Sequence, residues 1–167
     1  NGEKGLVGYY IADIYLRSSE YLRTNYVTNG YRSVQDMASE ANAILAIDGD
    51  YAFSREYGPI VRNGAFLRDT GFDDILVYYS DGSMRIFRGN AFDMDAEMEK
   101  GAVQVWSFGP ALLDTEGKSI DKFNTNIAGL NPRAALGYYE PGHYCFVVVD
   151  GRGEHGSRGD KLQELYR

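Results

Sequence analysis

Apolar and polar residues alternate in short runs along this 167-residue chain, and glycine-centred turns break the runs. The first run, LVGYYIADIYL from Leu6 to Leu16, is rich in β-branched and aromatic residues and reads as a strand. SVQDMASEAN, residues 33–42, switches to helical spacing. Ser33 stands at the N-cap, Asp36 lies three residues on, and Met37 and Ala41 share a face. AILAI, Ala43 to Ile47, reads as the next strand. Two hairpins follow, GPIVRNGAFLRD around Asn63-Gly64 and ILVYYSDGSMRIF around Asp81-Gly82. Both dipeptides tolerate the positive φ angles of a type I′ turn. FDMDAEMEKG predicts a helix ending at Gly101, and VQVWSF a strand. PRAALGYYEPGHYCFVVVD predicts a third hairpin turning at Pro141-Gly142. GDKLQELYR predicts a helix capped by Asp160, with Leu162, Leu165 and Tyr166 on its apolar side.

These elements describe an α+β fold: a mixed, largely antiparallel sheet with hairpins and a few flanking helices, broken off in its final helix. The length fits one domain with its own core, and no internal repeat, low-complexity tract or proline-rich linker divides residues 1–167.

Composition narrows the partners. Seventeen Lys and Arg against twenty-four Asp and Glu leave a net charge of -7, which disfavours nucleic acid, whose backbone needs an excess of cations. A phosphate-bearing ligand must instead be held by a few placed arginines. The fourteen tyrosines are expected chiefly in the core of a β-rich protein, with carbohydrate surfaces as their other common setting. Cys145, the single cysteine, is expected in the core and excludes an intrachain disulfide. No run approaches the ~18 apolar residues of a membrane span. The opening NGEKGLVGYY reads like a trimmed or processed chain.

Several chemistries are not spelled out. His143, beside a turn, and His155, in GRGEHGSRG, are the two histidines; neither has metal-pair spacing and both read as solvated loop residues. There is no G-x-S-x-G and no P-loop. What stands out is carboxylates and arginines at strand ends. Asp48 and Asp50 follow AILAI, Asp150 follows FVVV with Arg152 two residues on, and Arg133 opens RAALGYY. Asp-Gly is also ordinary turn chemistry, and Asp48 has a turn-capping role open to it. Loops at strand ends are nonetheless where a sheet displays working groups. Paired carboxylates cleave glycosidic bonds, and arginines fork onto phosphate. The pattern suits a hydrolase of a phosphorylated sugar. Carboxylates at strand exits also suit Ca²⁺ or Mg²⁺, although no ligand loop is spelled out.

YYIADIYL, AIDGDYAF, VRNG, SFGPALLD, NPRAALGYY, YCFVVVDGR and KLQEL occur in one order. In that order the chain resembles the phosphodiester glycosidase family, which includes bacterial exopolysaccharide-associated proteins and the mannose-6-phosphate uncovering enzyme. The resemblance runs over most of residues 8–167. Gly49, Asp50 and Tyr51 match the family's first motif, with Asp48 in place of its asparagine. Arg62-Asn63-Gly64, Asp150-Gly151-Arg152 and Glu164 also match. Pro132-Arg133 and Gly137 match a motif whose threonine is here Ala134. The family's Asn-Leu-Asp-Gly-Gly-Gly-Ser motif does not occur before Arg167. That difference leaves open a second chain or fragment that completes the fold.

The resemblance implies hydrolysis of a sugar-1-phosphodiester, for example on a GlcNAc-1-phospho-glycan, with the phosphate left on its carrier. It implies phosphate recognition by Arg133, with Arg62 or Arg152 as a second clamp and Tyr51 in the binding surface. Asp50 and Asp150 would support the anomeric carbon, and Glu164 would activate water. These groups are expected around one cleft. The resemblance requires no cofactor and places the protein outside the cytoplasm of a bacterium, secreted or on the cell surface. The alternative is a non-catalytic carbohydrate-binding or cell-wall-associated module on the same fold.

Overall fold

The computed structural model describes residues 6–71, 74–107, 109–123, 125–153 and 156–165. They fall into two compact units. The first gathers the described parts of segments 1–14, 110–139 and 144–167; the second gathers 15–109 and 140–143.

The second unit carries a five-stranded antiparallel sheet. Strands β2 (Ile60–Arg62), β3 (Ala65–Arg68), β4 (Ile75–Tyr79), β5 (Met84–Phe87) and β6 (Ala102–Trp106) stand in the order β3-β2-β6-β4-β5. Val61, Ile75, Val77, Tyr79, Phe87, Met94, Ala102 and Val105 form its core. Helix α2 (Met94–Glu99) contributes Met94 from a start capped by Asp93, whose carboxylate accepts from Ala96 N at 2.9 Å. Helix α1 (Val34–Glu40) begins as its sequence predicts, with the Ser33 hydroxyl accepting from Asp36 N at 3.0 Å. It ends in a Schellman motif: Asn42 takes a positive φ of 51° and Ala43 N donates to Ala38 O at 2.9 Å.

Both predicted hairpins form. Asn63 and Gly64 have φ of 51° and 82°, as a type I′ turn demands. At the second, only Gly82 is positive, at 86°, and Gly82 N donates to Tyr79 O at 2.9 Å. That loop is a type I turn closed by a glycine bulge, because Asp81 instead caps Ser83 through N–H and hydroxyl bonds of 2.8 and 2.6 Å.

The first unit is built on a three-stranded sheet of β1 (Tyr9–Tyr15), β7 (Arg133–Glu140) and β8 (His143–Val149), in the order β1-β8-β7. Pro141-Gly142 turns the β7–β8 hairpin, with Gly142 at φ 87°.

Four expectations are corrected. Residues 43–47 are not a strand: no described strand pairs with them, and Ile44 is fully exposed. β-Propensity without a neighbouring strand leaves the backbone unbonded. Residues 160–165 form turns, not a helix, with 3₁₀-type bonds from Glu164 N to Lys161 O and Leu165 N to Leu162 O. Asp160 cannot serve as a free cap there, because its backbone bridges to Asn131 through bonds of 2.9 and 3.2 Å; Tyr166 lies outside the described residues. The tyrosines are mostly surface residues. Tyr78, Tyr79 and Tyr144 are buried, while Tyr10, Tyr15, Tyr21, Tyr31, Tyr51 and Tyr139 are more than half exposed. Cys145 is half-buried, its sulfur above Gly137, and not a core residue.

Candidate functional site

In the second unit the chain leaving Ile47 passes exposed Asp48 and brings Asp50 inward. Asp50 meets Arg62, the last residue of β2, in a buried ion pair of 2.5 Å. Its other oxygen accepts from Ser107 N at 3.0 Å. The Arg62 guanidinium also donates to Val105 O at 2.5 Å and Val61 O at 3.2 Å, and its Nε is buried with no hydrogen-bond partner among the described residues. Both side chains are closed on each other and on the sheet, so Arg62 is not presented as a clamp for a phosphate. The turn beside them is fixed by Gln104, which accepts from Asn63 N at 3.0 Å and donates to Asn63 Oδ1 at 2.7 Å.

In the first unit, Arg133 opens β7 and Asp150 follows β8, so both stand at the end of the hairpin away from its turn. The strands' flanks touch there: a Cβ on Gly151 would come within 2.5 Å of Pro132 N. Asp150 N donates to Gly8 O at 3.0 Å, and the Tyr10 hydroxyl donates to the Asp150 carboxylate at 3.1 Å. Gly8 matters for the same reason, since a Cβ there would crowd that carboxylate at 3.3 Å. Ser157 ties the region together, donating to Asp150 O at 2.5 Å and accepting from Gly8 N at 3.2 Å.

A second carboxylate cluster, centred on Asp160, was not legible as a site. Asp160 is almost fully buried and accepts a short bond from the Tyr9 hydroxyl. Burial works to raise its pKa. Hydrogen bonds with Glu164, Tyr9 and the Lys161 amide, and the Arg158 charge, outweigh burial and hold it below the ordinary carboxylate range. The same bond, with burial and the Asp160 charge, pushes the Tyr9 phenol up to about 12. Tyr9 and Tyr10 are neighbours on β1 and point to opposite faces of the sheet. The Asp160 and Asp150 carboxylates are therefore served from opposite faces of that strand. Glu164, expected on a helix, reaches Asp160 from a turn.

Arg133 belongs on the Asp160 side. Its Nε donates to Asp160 O at 3.0 Å and one Nη2 donates to Ile127 O at 2.7 Å and to Gly129 O in a shorter bond. Those carbonyls leave the Nη1 hydrogens as the donors not engaged by them. Desolvation lowers the guanidinium pKa against the pull of Asp160, yet an arginine stays charged at neutral pH. Arg152 is exposed at a positive φ of 55°, and Tyr51 is exposed on a loop of the second unit. His143 stacks on Tyr15 with ring centroids 4.2 Å apart, whereas His155 lies outside the described residues. Among the described residues no group of three or more His, Cys, Asp or Glu is placed to hold a metal ion, and no helix is long and apolar enough to cross a membrane.

A family model described as phosphodiester glycosidase matches residues 41–167. The chain belongs to the phosphodiester glycosidase family. Among individual proteins it is 26% identical over 160 residues to the SPbeta prophage-derived uncharacterized protein YomE of Bacillus subtilis strain 168, covering 90% of this chain and 25% of that protein. The chain thus spans about a quarter of the length of that relative. Its fold is similar to that of the zebrafish N-acetylglucosamine-1-phosphodiester alpha-N-acetylglucosaminidase catalytic domain, auto-inhibited by its pro-peptide. The TM-score is 0.58 at 16% identity, over 99% of this chain and 66% of that one. That likeness is one of fold, and it agrees with the α+β, largely antiparallel architecture of this phosphodiester glycosidase domain.

Proposed function

We propose that this phosphodiester glycosidase domain hydrolyses a sugar-1-phosphodiester, releasing the sugar and leaving the phosphate on its carrier. The bond broken is that between the anomeric carbon and the bridging phosphate oxygen. Water supplies the new oxygen on the sugar, and the bond's electron pair leaves with the phosphate. A phosphodiester oxygen leaves far more readily than a sugar alkoxide. Holding the phosphate and stabilising an oxocarbenium-like centre are then the protein's main tasks, ahead of acid assistance.

The observation that carries this reading, beside membership of the family, is the placement of Arg133 and Asp150 at one end of the β7–β8 hairpin, where their side chains are held on opposite faces of β1 and a substrate bridging them lies across the strand ends. Arg133 is the phosphate-binding cation, through the donors its carbonyl partners leave over. Asp150, oriented by Tyr10, supports the anomeric carbon. Glu164, paired with Asp160, is the group for activating water. Arg152 is the second phosphate clamp, after Arg133. Asp50 and Arg62 act as a scaffold pair. The N-acetylglucosamine in the zebrafish enzyme's name makes N-acetylglucosamine-1-phosphodiesters the first substrates to try. The scheme assigns no step to a metal, and turnover unchanged by a chelator is its expectation.

Arg133→Ala and Asp150→Asn, each made in the full-length protein, should lower turnover by roughly a hundredfold or more with the fold intact. Full activity in both variants would remove them from the site. A second reading, a non-catalytic glycan-binding module, draws on the exposed tyrosines and on the carbonyl contacts of Arg133. Saturable glycan binding without turnover by the complete protein would decide for it.

A further inference from the structure

Three segments of the first unit, far apart in sequence, meet at Asp160. Asp160 and Asn131 bridge backbone to backbone: Asp160 N donates to Asn131 O at 2.9 Å, and Asn131 N to Asp160 O at 3.2 Å. Gly159, at φ 81°, permits that approach, since a Cβ there would lie 2.6 Å from the Asn131 carbonyl. The Asp160 carbonyl accepts a second bond, from Arg133 Nε at 3.0 Å. Ile127 O and Gly129 O, on the loop before Asn131, hold Nη2 of the same guanidinium. The plane of the Arg133 fork is thus fixed by two points on that loop and one on the turn at Asp160. Nη1 is the corner that these carbonyls do not take.

The turn at Asp160 is fixed in its own right through the side chain. Asp160 is 1% exposed, and a carboxylate at that depth needs its oxygens bonded. Oδ1 accepts from Lys161 N at 3.0 Å, and Oδ2 accepts the short bond from the Tyr9 hydroxyl. Lys161 and Glu164 belong to the same turn as Asp160, whereas Tyr9 belongs to β1 and ties the carboxylate to the sheet. The Tyr9 ring is 47% exposed, so the hydroxyl is its chief contribution. Desolvation works against the Arg133 charge, and the Asp160 carboxylate supports it.

We propose that Tyr9 is a positioning residue for phosphate recognition: its hydroxyl anchors the Asp160 carboxylate to β1, and the Asp160 carbonyl in turn aims the Arg133 guanidinium. This rests on the reading of Arg133 as the phosphate-binding cation. A guanidinium fork meets a phosphate productively only over a narrow range of geometry. A loosened Asp160 therefore costs phosphate binding although Tyr9 itself touches no substrate.

The test compares the full-length parent with Tyr9→Phe by two measurements. Hydrogen exchange at arginine Nε–H groups, followed by NMR, reads the positioning directly, with Arg133→Ala identifying the Arg133 signal. Exchange at Arg133 should quicken by about tenfold in Tyr9→Phe. Arg68 Nε–H, which donates to Gly58 O at 2.8 Å in the second unit, should keep its parental rate. In the second measurement, kcat/KM on an N-acetylglucosamine-1-phosphodiester should fall about fivefold. Inhibition by N-acetylglucosamine, which carries no phosphate, should stay within about twofold. Asp160→Asn, which keeps one acceptor oxygen, should give the same changes and stands in if Tyr9→Phe does not fold. A parental exchange rate at Arg133, an equal quickening at Arg68, or quickened exchange with unchanged kcat/KM would each overturn the proposal while leaving Arg133 as the phosphate cation. Full activity in Arg133→Ala would instead remove that reading, and this inference with it.

Discussion

Asp50 and Arg62 form an ion pair of 2.5 Å whose side chains are 5% and 0% exposed. A pair this deep is held by mutual compensation: each charge is tolerable because the other is there, and because Ser107 N and Val105 O take further bonds. Arg62→Ala should therefore destabilise the fold by roughly 3–5 kcal/mol, since it strands a buried carboxylate. Adding Asp50→Leu to Arg62→Met should recover most of that loss. Urea denaturation of the single and double variants measures it; equal losses in both would show that the charges do not compensate each other.

Tyr9 and Asp160 set the pH behaviour of the first unit. The phenol is raised to about 12, so its contribution is complete below the ordinary tyrosine value of about 10 and is lost as pH climbs from there towards 12. The carboxyl is lowered, so its contribution is complete above about pH 4 and disappears as pH falls through the folded-state value. Tyr9→Phe removes a bond that lowers Asp160. Its acid unfolding midpoint should move to higher pH, and the stability gap to the parent should narrow above pH 10. Unfolding curves across pH for the two proteins check both limbs.

Gly137 and Cys145 face each other across the β7–β8 hairpin so closely that a Cβ on Gly137 would lie 2.5 Å from the Cys145 sulfur. Gly137→Ala should destabilise by about 1–3 kcal/mol through overpacking. Removing the sulfur with Cys145→Ala in the same chain should relieve part of that loss, giving a favourable coupling above about 0.5 kcal/mol. Thermal melts of the four proteins in the cycle give the number, and strict additivity would show that the two residues do not touch.

The parts of this fold that were legible in the sequence are those decided within a few residues. Ser33 caps α1 because its hydroxyl reaches Asp36 N, and Asn63-Gly64 turns because both residues tolerate positive φ. Residues 43–47 carry the composition of a strand, but a strand is made by its neighbour, and composition does not report a neighbour. The last segment carries a helix pattern that lost to long-range bonds: Asp160 is claimed by Asn131 and by Tyr9, which lies 151 positions away. Spacing alone could not reveal that contact. The strand-end position of Asp150 and Arg133 was readable, because apolar runs mark their strands. The company each keeps, Tyr10 for one and the Asp160 carbonyl for the other, was not.

The account rests on cleavage at the sugar side of the phosphodiester. Its most direct test is hydrolysis of an N-acetylglucosamine-1-phosphodiester by the full-length protein in water enriched in heavy oxygen, with mass analysis of both products. Label on the released sugar, with none on the phosphate, is the predicted result. Label on the phosphate would contradict it.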